Sequence, residues 1–136
     1  MSDVCPICRD GGPAGVIAEL PATWVSAPSR APLPGYVCVV ARRHVTEPFQ
    51  LPPGDMQAFW RECMLVARAV TAELAPRKMN YEIHGNTIAH LHMHLYPRFD
   101  GDPYEGQAID GHATFARTAD QLGRIAEAVN RAAETP

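Results

Sequence analysis

Between residues 90 and 96 the chain alternates strictly between two kinds of side chain: His90-Leu91-His92-Met93-His94-Leu95-Tyr96. A period of two predicts a β-strand, with Leu91, Met93 and Leu95 on one face and His90, His92, His94 and Tyr96 on the other. Tyr36 to Val40 is a nearly continuous apolar run, which predicts a strand buried on both faces. Two shorter strands are expected at Val16 to Leu20 and Thr23 to Ser26, separated by Pro21. The period then lengthens. Met56, Phe59, Trp60, Cys63, Ala67, Val70 and Leu74 recur at three- and four-residue spacing, predicting a helix with Asp55 at its N-cap and Pro76 closing it.

Asn80 to Ile83 reads as a further strand, joined to the histidine strand through Gly85-Asn86 as a hairpin or a neighbouring pair. Thr118-Ala119-Asp120-Gln121 has the form of a capping box and opens a second helix, whose apolar face is Leu122, Ile125, Val129 and Ala132. Residues 27–35 and 99–111 are rich in proline and glycine and read as loops. The order of strands, helix, strands and helix predicts an α+β fold, an antiparallel sheet with two main helices.

At 136 residues the chain is expected to form a single domain over 1–136, with its core in about 16–98 and a C-terminal loop and helix in 99–136. A composition 46% hydrophobic and 20% charged excludes a disordered chain. The net charge of -3 argues against a nucleic-acid-binding surface, yet leaves room for a local pocket that takes a small phosphorylated ligand. No secretory leader and no membrane-length apolar run are visible, so the expected location is the cytoplasm, where disulfides are rare. The cysteines are then metal ligands or core residues. Cys38 in a buried strand and Cys63 on a helix face read as core, whereas Cys5-x-x-Cys8 could be half a zinc site, a redox pair or two unrelated thiols.

Three imidazoles on one strand face are hard to obtain from packing alone, because imidazoles fill cores poorly. They suit either a metal, for which histidine is the commonest ligand, or nucleophilic and acid–base chemistry near neutral pH. Spacing does not choose between these.

The alternation of histidine and apolar residues ending in Pro97-Arg98 resembles the signature of the histidine triad family. Gly85-Asn86-Thr87 is similar to the polar turn preceding that family's triad strand, and Pro34-Gly35-Tyr36 through Arg42-Arg43-His44 resembles its proline-glycine-strand-basic-histidine segment. The resemblance covers roughly Val16 to Arg98. It implies a nucleotide hydrolase or nucleotidyl transferase in which His92 attacks the α-phosphorus of a purine nucleotide to give a nucleotidyl-histidine. The main-chain carbonyl of His90 would hold the tautomer of His92, His94 would donate to the phosphate, and Asn86 would contact phosphate or leaving group. Arg98 is a candidate for phosphate binding or for a structural ion pair.

The resemblance also implies a homodimer, no organic cofactor, and a structural zinc on Cys5, Cys8, His44 and His90. Many members carry an acidic residue before the proline-glycine strand for the ribose hydroxyls; here Ser26-Ala27-Pro28-Ser29-Arg30 has none. A rival reading is a non-catalytic module that binds nucleotide or zinc. Trp24 and Tyr96 are expected in the core, Arg42 and Arg43 in solvent, and His84 and His112 without a role.

Overall fold

The computed structural model describes residues 4–112 and 114–134. Its strands are β1 (Val16–Glu19), β2 (Thr23–Ser26), β3 (Arg30–Ala31), β4 (Val37–Ala41), β5 (Lys78–Glu82), β6 (His92–Arg98) and β7 (Phe115–Ala116). Its helices are α1 (Pro6–Arg9), α2 (Pro53–Leu74) and α3 (Ala119–Glu134). Five strands form one antiparallel sheet in the order β1-β2-β4-β6-β5, and β3 pairs with β7 in a separate short ladder. The α+β expectation is met, with β5 and β6 forming the anticipated hairpin.

Alternation along the central strands divides the molecule into two layers. Val37, Val39, Leu91, Met93 and Leu95 point towards α2 and α3 and form the main core with Phe59, Cys63, Val66, Val70, Ile125 and Val129. Tyr36, Cys38, Val40 and Tyr96 point the other way and pack with Ile7, Ala31, Leu33 and Tyr104. That second layer is built from loops and α1 rather than from long helices.

Helix α2 begins at Pro53 rather than after Asp55. A proline at the first helical position loses nothing, since its missing N–H would be unpaired there in any case. Asp55 instead occupies the first turn, where it pairs with Arg43 at 2.9 Å. The helix ends in Ala75, left-handed at φ 49°, just before Pro76. Its buried face is Phe59, Cys63, Val66, Ala67 and Val70, while Met56 and Trp60 from the expected face lie in solvent. Glu62 is also buried there, and its carboxylate accepts from the Ala22 N–H and, at 2.6 Å, from the Thr23 hydroxyl. This pins α2 to the turn between β1 and β2. The capping box of α3 forms as expected, Thr118 accepting from the Gln121 N–H and Gln121 from the Thr118 N–H.

Gly35 opens the approach to β4, where any side chain would have to displace its neighbours. A Cβ would lie 2.6 Å from Leu74 and 2.7 Å from Pro97. Among the described residues no helix is long and apolar enough to cross a membrane.

Candidate functional site

The site occupies the loop-covered face at the junction of β4 and β6. Their antiparallel register sets Cys38 opposite His94 and Val40 opposite His92, so the side chains of all four share one face. They line a cavity of about 360 Å³. Its other walls include Pro6, Ile7 and Asp10 of the N-terminal segment, Pro28 of the loop before β3, Tyr36, and Ile88 of the β5–β6 connection.

His92 stands at the start of β6 with its Nδ1–H donating to the carbonyl of His90 at 2.5 Å. That bond fixes the tautomer and leaves the Nε2 lone pair free. The rings of His92 and His94 meet edge to face with centroids 4.8 Å apart, closer than the strand repeat alone would place them. His94 Nδ1 lies 2.6 Å from the Tyr36 hydroxyl. With the phenol as donor to this nitrogen, the ring proton of His94 sits on Nε2. Burial, reinforced by the neighbouring His92 and His84, pushes the His94 pKa down to about 4, so its ring is neutral at physiological pH. Burial raises the Tyr36 pKa in turn, keeping its proton in place. Tyr36 also stacks on Tyr96 with centroids 4.8 Å apart.

Tyr36 is held by a buried arginine that pattern reading alone passes over. The Arg117 guanidinium donates to the carbonyls of Tyr36 at 2.7 Å, Pro34 at 2.9 Å and Pro28 at 3.0 Å. These partners are main-chain oxygens, so the arginine acts as a clamp on the segment that carries Pro28 and Tyr36 to the cavity.

A second cluster lies on the other side of His90. His90 is almost fully buried in the bend just ahead of β6, so the histidine strand begins two residues later than its alternation suggests. Its Nε2–H donates to the Ala41 carbonyl at 2.6 Å. Its Nδ1 therefore carries a lone pair, and burial lowers the ring's pKa. That nitrogen faces Cys5 Sγ at 3.3 Å, Cys8 Sγ at 3.7 Å and His44 Nδ1 at 3.0 Å. The four donor atoms all lie within 4.8 Å of one another. Two thiols and two imidazoles converging in this way suit a tetrahedral metal ion. Helix α1, which sequence patterning did not predict, brings Cys5 and Cys8 to this point: Cys5 caps it and Pro6 starts it.

The predicted residues thus divide. His90, His92 and His94 come together at the cavity and the adjoining cluster, with Cys5, Cys8 and His44. Arg98 does not reach the cavity; it forms a two-bond ion pair with Asp102 and donates to Asn80. Asn86 is exposed on the β5–β6 connection, the same connection that carries Ile88 to the cavity wall. His84 lies 5.7 Å from the His94 ring and bonds Glu82, a placement its isolated position in the sequence did not suggest. His112 is exposed beside Asp110. Arg42 covers the half-buried Trp24 at 5.0 Å and so is less free than expected. The expected gap in carboxylates before β4 is real, but Asp10 lines the cavity from the N-terminal side, ion-paired with Arg9 at 2.9 Å.

The HIT domain family model matches residues 11–101. Among solved structures, a histidine triad protein from Bradyrhizobium japonicum is similar at a TM-score of 0.77 and 24% identity, over 85% of this chain and 87% of the other. A Zn-bound histidine triad family protein from Mycobacterium smegmatis is similar at 0.68 and 21%, over 93% and 91%. A hypothetical histidine triad nucleotide-binding protein from Sulfolobus tokodaii is similar at 0.69 and 14%, over 96% and 90%. Comparison with curated proteins gave no match. With the domain match spanning most of the sequence and the same fold in each of these neighbours, the chain belongs to the histidine triad family.

Proposed function

We propose that this protein hydrolyses or transfers nucleotides at the α-phosphate through a covalent intermediate on His92. One observation carries the reading: the hydrogen bond from His92 Nδ1–H to the His90 carbonyl makes Nε2 the lone-pair nitrogen of the neutral ring, at a cavity wide enough for a small ligand. Nε2 bonds to the α-phosphorus of a purine nucleotide as the bond to the leaving group breaks. Water, or another acceptor, then takes the nucleotidyl group and restores the imidazole. His94, neutral and with its proton on Nε2, donates to a phosphate oxygen as charge develops there. Asn86, on the connection that also carries Ile88, is the candidate for contact with the phosphate or leaving group. Arg98, committed to Asp102, holds the end of β6 rather than substrate. The suitable substrates are dinucleoside polyphosphates and nucleoside phosphoramidates.

The test is AMP release from diadenosine tetraphosphate and from adenosine phosphoramidate, with His92→Ala in parallel. Wild type is expected to release AMP and the variant to lose at least about 10³-fold in rate. Activity surviving the substitution would remove His92 from the nucleophile's role.

The Cys5, Cys8, His44 and His90 cluster fits a structural zinc. The anchored Nε2 of His90 is the type of outer contact that orients a ligating histidine. An ion there would supply folding energy rather than chemistry, tying α1 and its cavity-lining residues to the triad strand. The Zn-bound neighbour supports this reading. About one zinc per chain is expected on metal analysis, and Cys8→Ser should abolish it.

The exposed Met56 and Trp60 on α2, with Tyr81 on the edge strand β5 and Ile83 just after it, suit a homodimer contact. Trp60→Arg should shift the mass measured by light scattering towards the monomer.

A further inference from the structure

The same cavity contains a second set of convergent donors, in which Cys38, which the covalent chemistry does not use, joins His92 and His94. Cys38 Sγ and one ring nitrogen each of His92 and His94 lie within 4.8 Å of one another. The set shares no ligand with the cluster around His90. We propose that Cys38, His92 and His94 form a blocking site for a divalent ion of the zinc class, whose occupation silences the nucleophile.

The geometry supplies what such a site requires. Cys38 and His94 are direct cross-strand partners and His92 is the next same-face residue, so the three donors sit on a rigid sheet rather than on loops. One sulfur and two imidazole nitrogens match zinc-like ions in softness. Three protein ligands leave a fourth position open towards the cavity for water or an anion. His92 already presents the free lone pair of Nε2. The remaining adjustment is small, because Tyr36 can reverse its role. Its hydroxyl bonds His94 Nδ1, and the residue packs in the same cluster as Cys38. In the metal-bound form the hydroxyl donates to the Cys38 thiolate and accepts from His94 Nδ1–H, which frees His94 Nε2 to ligate. The balance is one metal–sulfur and two metal–nitrogen bonds formed, with one net proton released to solvent from the Cys38 thiol.

The two sites should fill in order. Two thiolates and a pre-oriented lone pair favour the cluster around His90. The second site has one thiol, and it lies buried on the sheet, so a metal must displace its proton there. Blocking should therefore appear only above one ion per chain. It uses the lone pair that the proposed reaction needs, so the inhibitory consequence rests on His92 being the nucleophile, whereas the metal site itself does not.

The experiment is a titration of the full chain, carrying one equivalent of the spectroscopically silent zinc, with Co²⁺ in the absence of substrate. A thiolate-to-cobalt charge-transfer band saturating at one cobalt per chain is expected, since the thiolates of Cys5 and Cys8 are held by zinc and Cys63 lies in the opposite layer. Cys38→Val and Cys38→Ser should lose the band and weaken the second binding event by at least about tenfold. In parallel, excess Zn²⁺ should suppress AMP release in wild type at least about tenfold more strongly than in the variants. Cobalt bound without a thiolate band, or a second ion held equally by the variants, would overturn the site. A thiolate band in wild type without nucleotide turnover would uphold the site and remove only the covalent reading.

Discussion

The two faces of the central sheet are made from the same strands by the same alternation, yet they are built for different ends. Towards α2 and α3, Val37, Val39, Met93 and Leu95 meet apolar helix faces in a closed core. Towards the loops, Tyr36, Cys38, His92 and His94 surround a cavity; Tyr36 and Cys38 pack in the smaller apolar layer there, while hydrogen bonds orient His92 and His94. A one-residue slip of β6 would exchange the two sets, so the apolar layer also enforces the register on which the histidines depend. Stability sits on one face and chemistry on the other, and each should be separable by mutation.

The sharpest separation pairs His92→Ala with Leu95→Ala. The first should abolish product formation while leaving unfolding by urea nearly unchanged. Leu95 is fully buried, so the second should cost about 2–5 kcal/mol of stability, read from the shift in urea midpoint, with turnover per folded molecule largely kept. A large stability loss in His92→Ala would break the division. Arg117→Met blurs it deliberately. Removing the guanidinium leaves three carbonyls without their donor, expected to cost about 2–3 kcal/mol in the same assay. Because the clamp also carries Tyr36, KM and kcat should both change, unlike in Leu95→Ala.

The smallest effect concerns the Arg98–Asp102 pair, which belongs to the loop face but not to the cavity. Arg98 holds the Asp102 carboxyl at about 2, below its ordinary value of 3.8. With the native pKa the lower one, the unfolded chain takes up the proton first on acidification. The stabilisation is therefore complete above pH 3.8 and is lost as pH falls through about 2. Asp102→Asn should cost about 2 kcal/mol at pH 7, with the cost shrinking as pH falls through about 2, and AMP release unaffected if Arg98 takes no part in binding. Loss of activity in that variant would return Arg98 to the site.

The alternation of residues 90–96 was sufficient to orient the sheet, because burial of one face leaves a period-two signal. The helices were legible for the same reason, through their three- and four-residue spacing. Helix α1 was not: four residues are too few for periodicity, and Cys5-x-x-Cys8 left three chemistries open. Trp60 and Met56 follow the helical spacing yet lie outside the core, since spacing marks an apolar stripe without saying what covers it. Tyr36, Arg117 and Asp10 escaped for a further reason. Their roles come from contacts across large sequence separations, Arg117 with Pro28 and Tyr36 above all, and no local pattern encodes those.

Trp24 gives the fold an optical consequence. It lies under the Arg42 guanidinium, and a Cβ built on Gly12 would fall 3.4 Å from its indole, so the chain just beyond α1 runs against the ring. Any event that lifts the N-terminal segment off the sheet should change the polarity and quenching around that indole. With Trp60 replaced by phenylalanine, Trp24 becomes the sole intrinsic fluorophore of its kind. Its emission would then follow docking of the N-terminal segment in real time, without an attached dye.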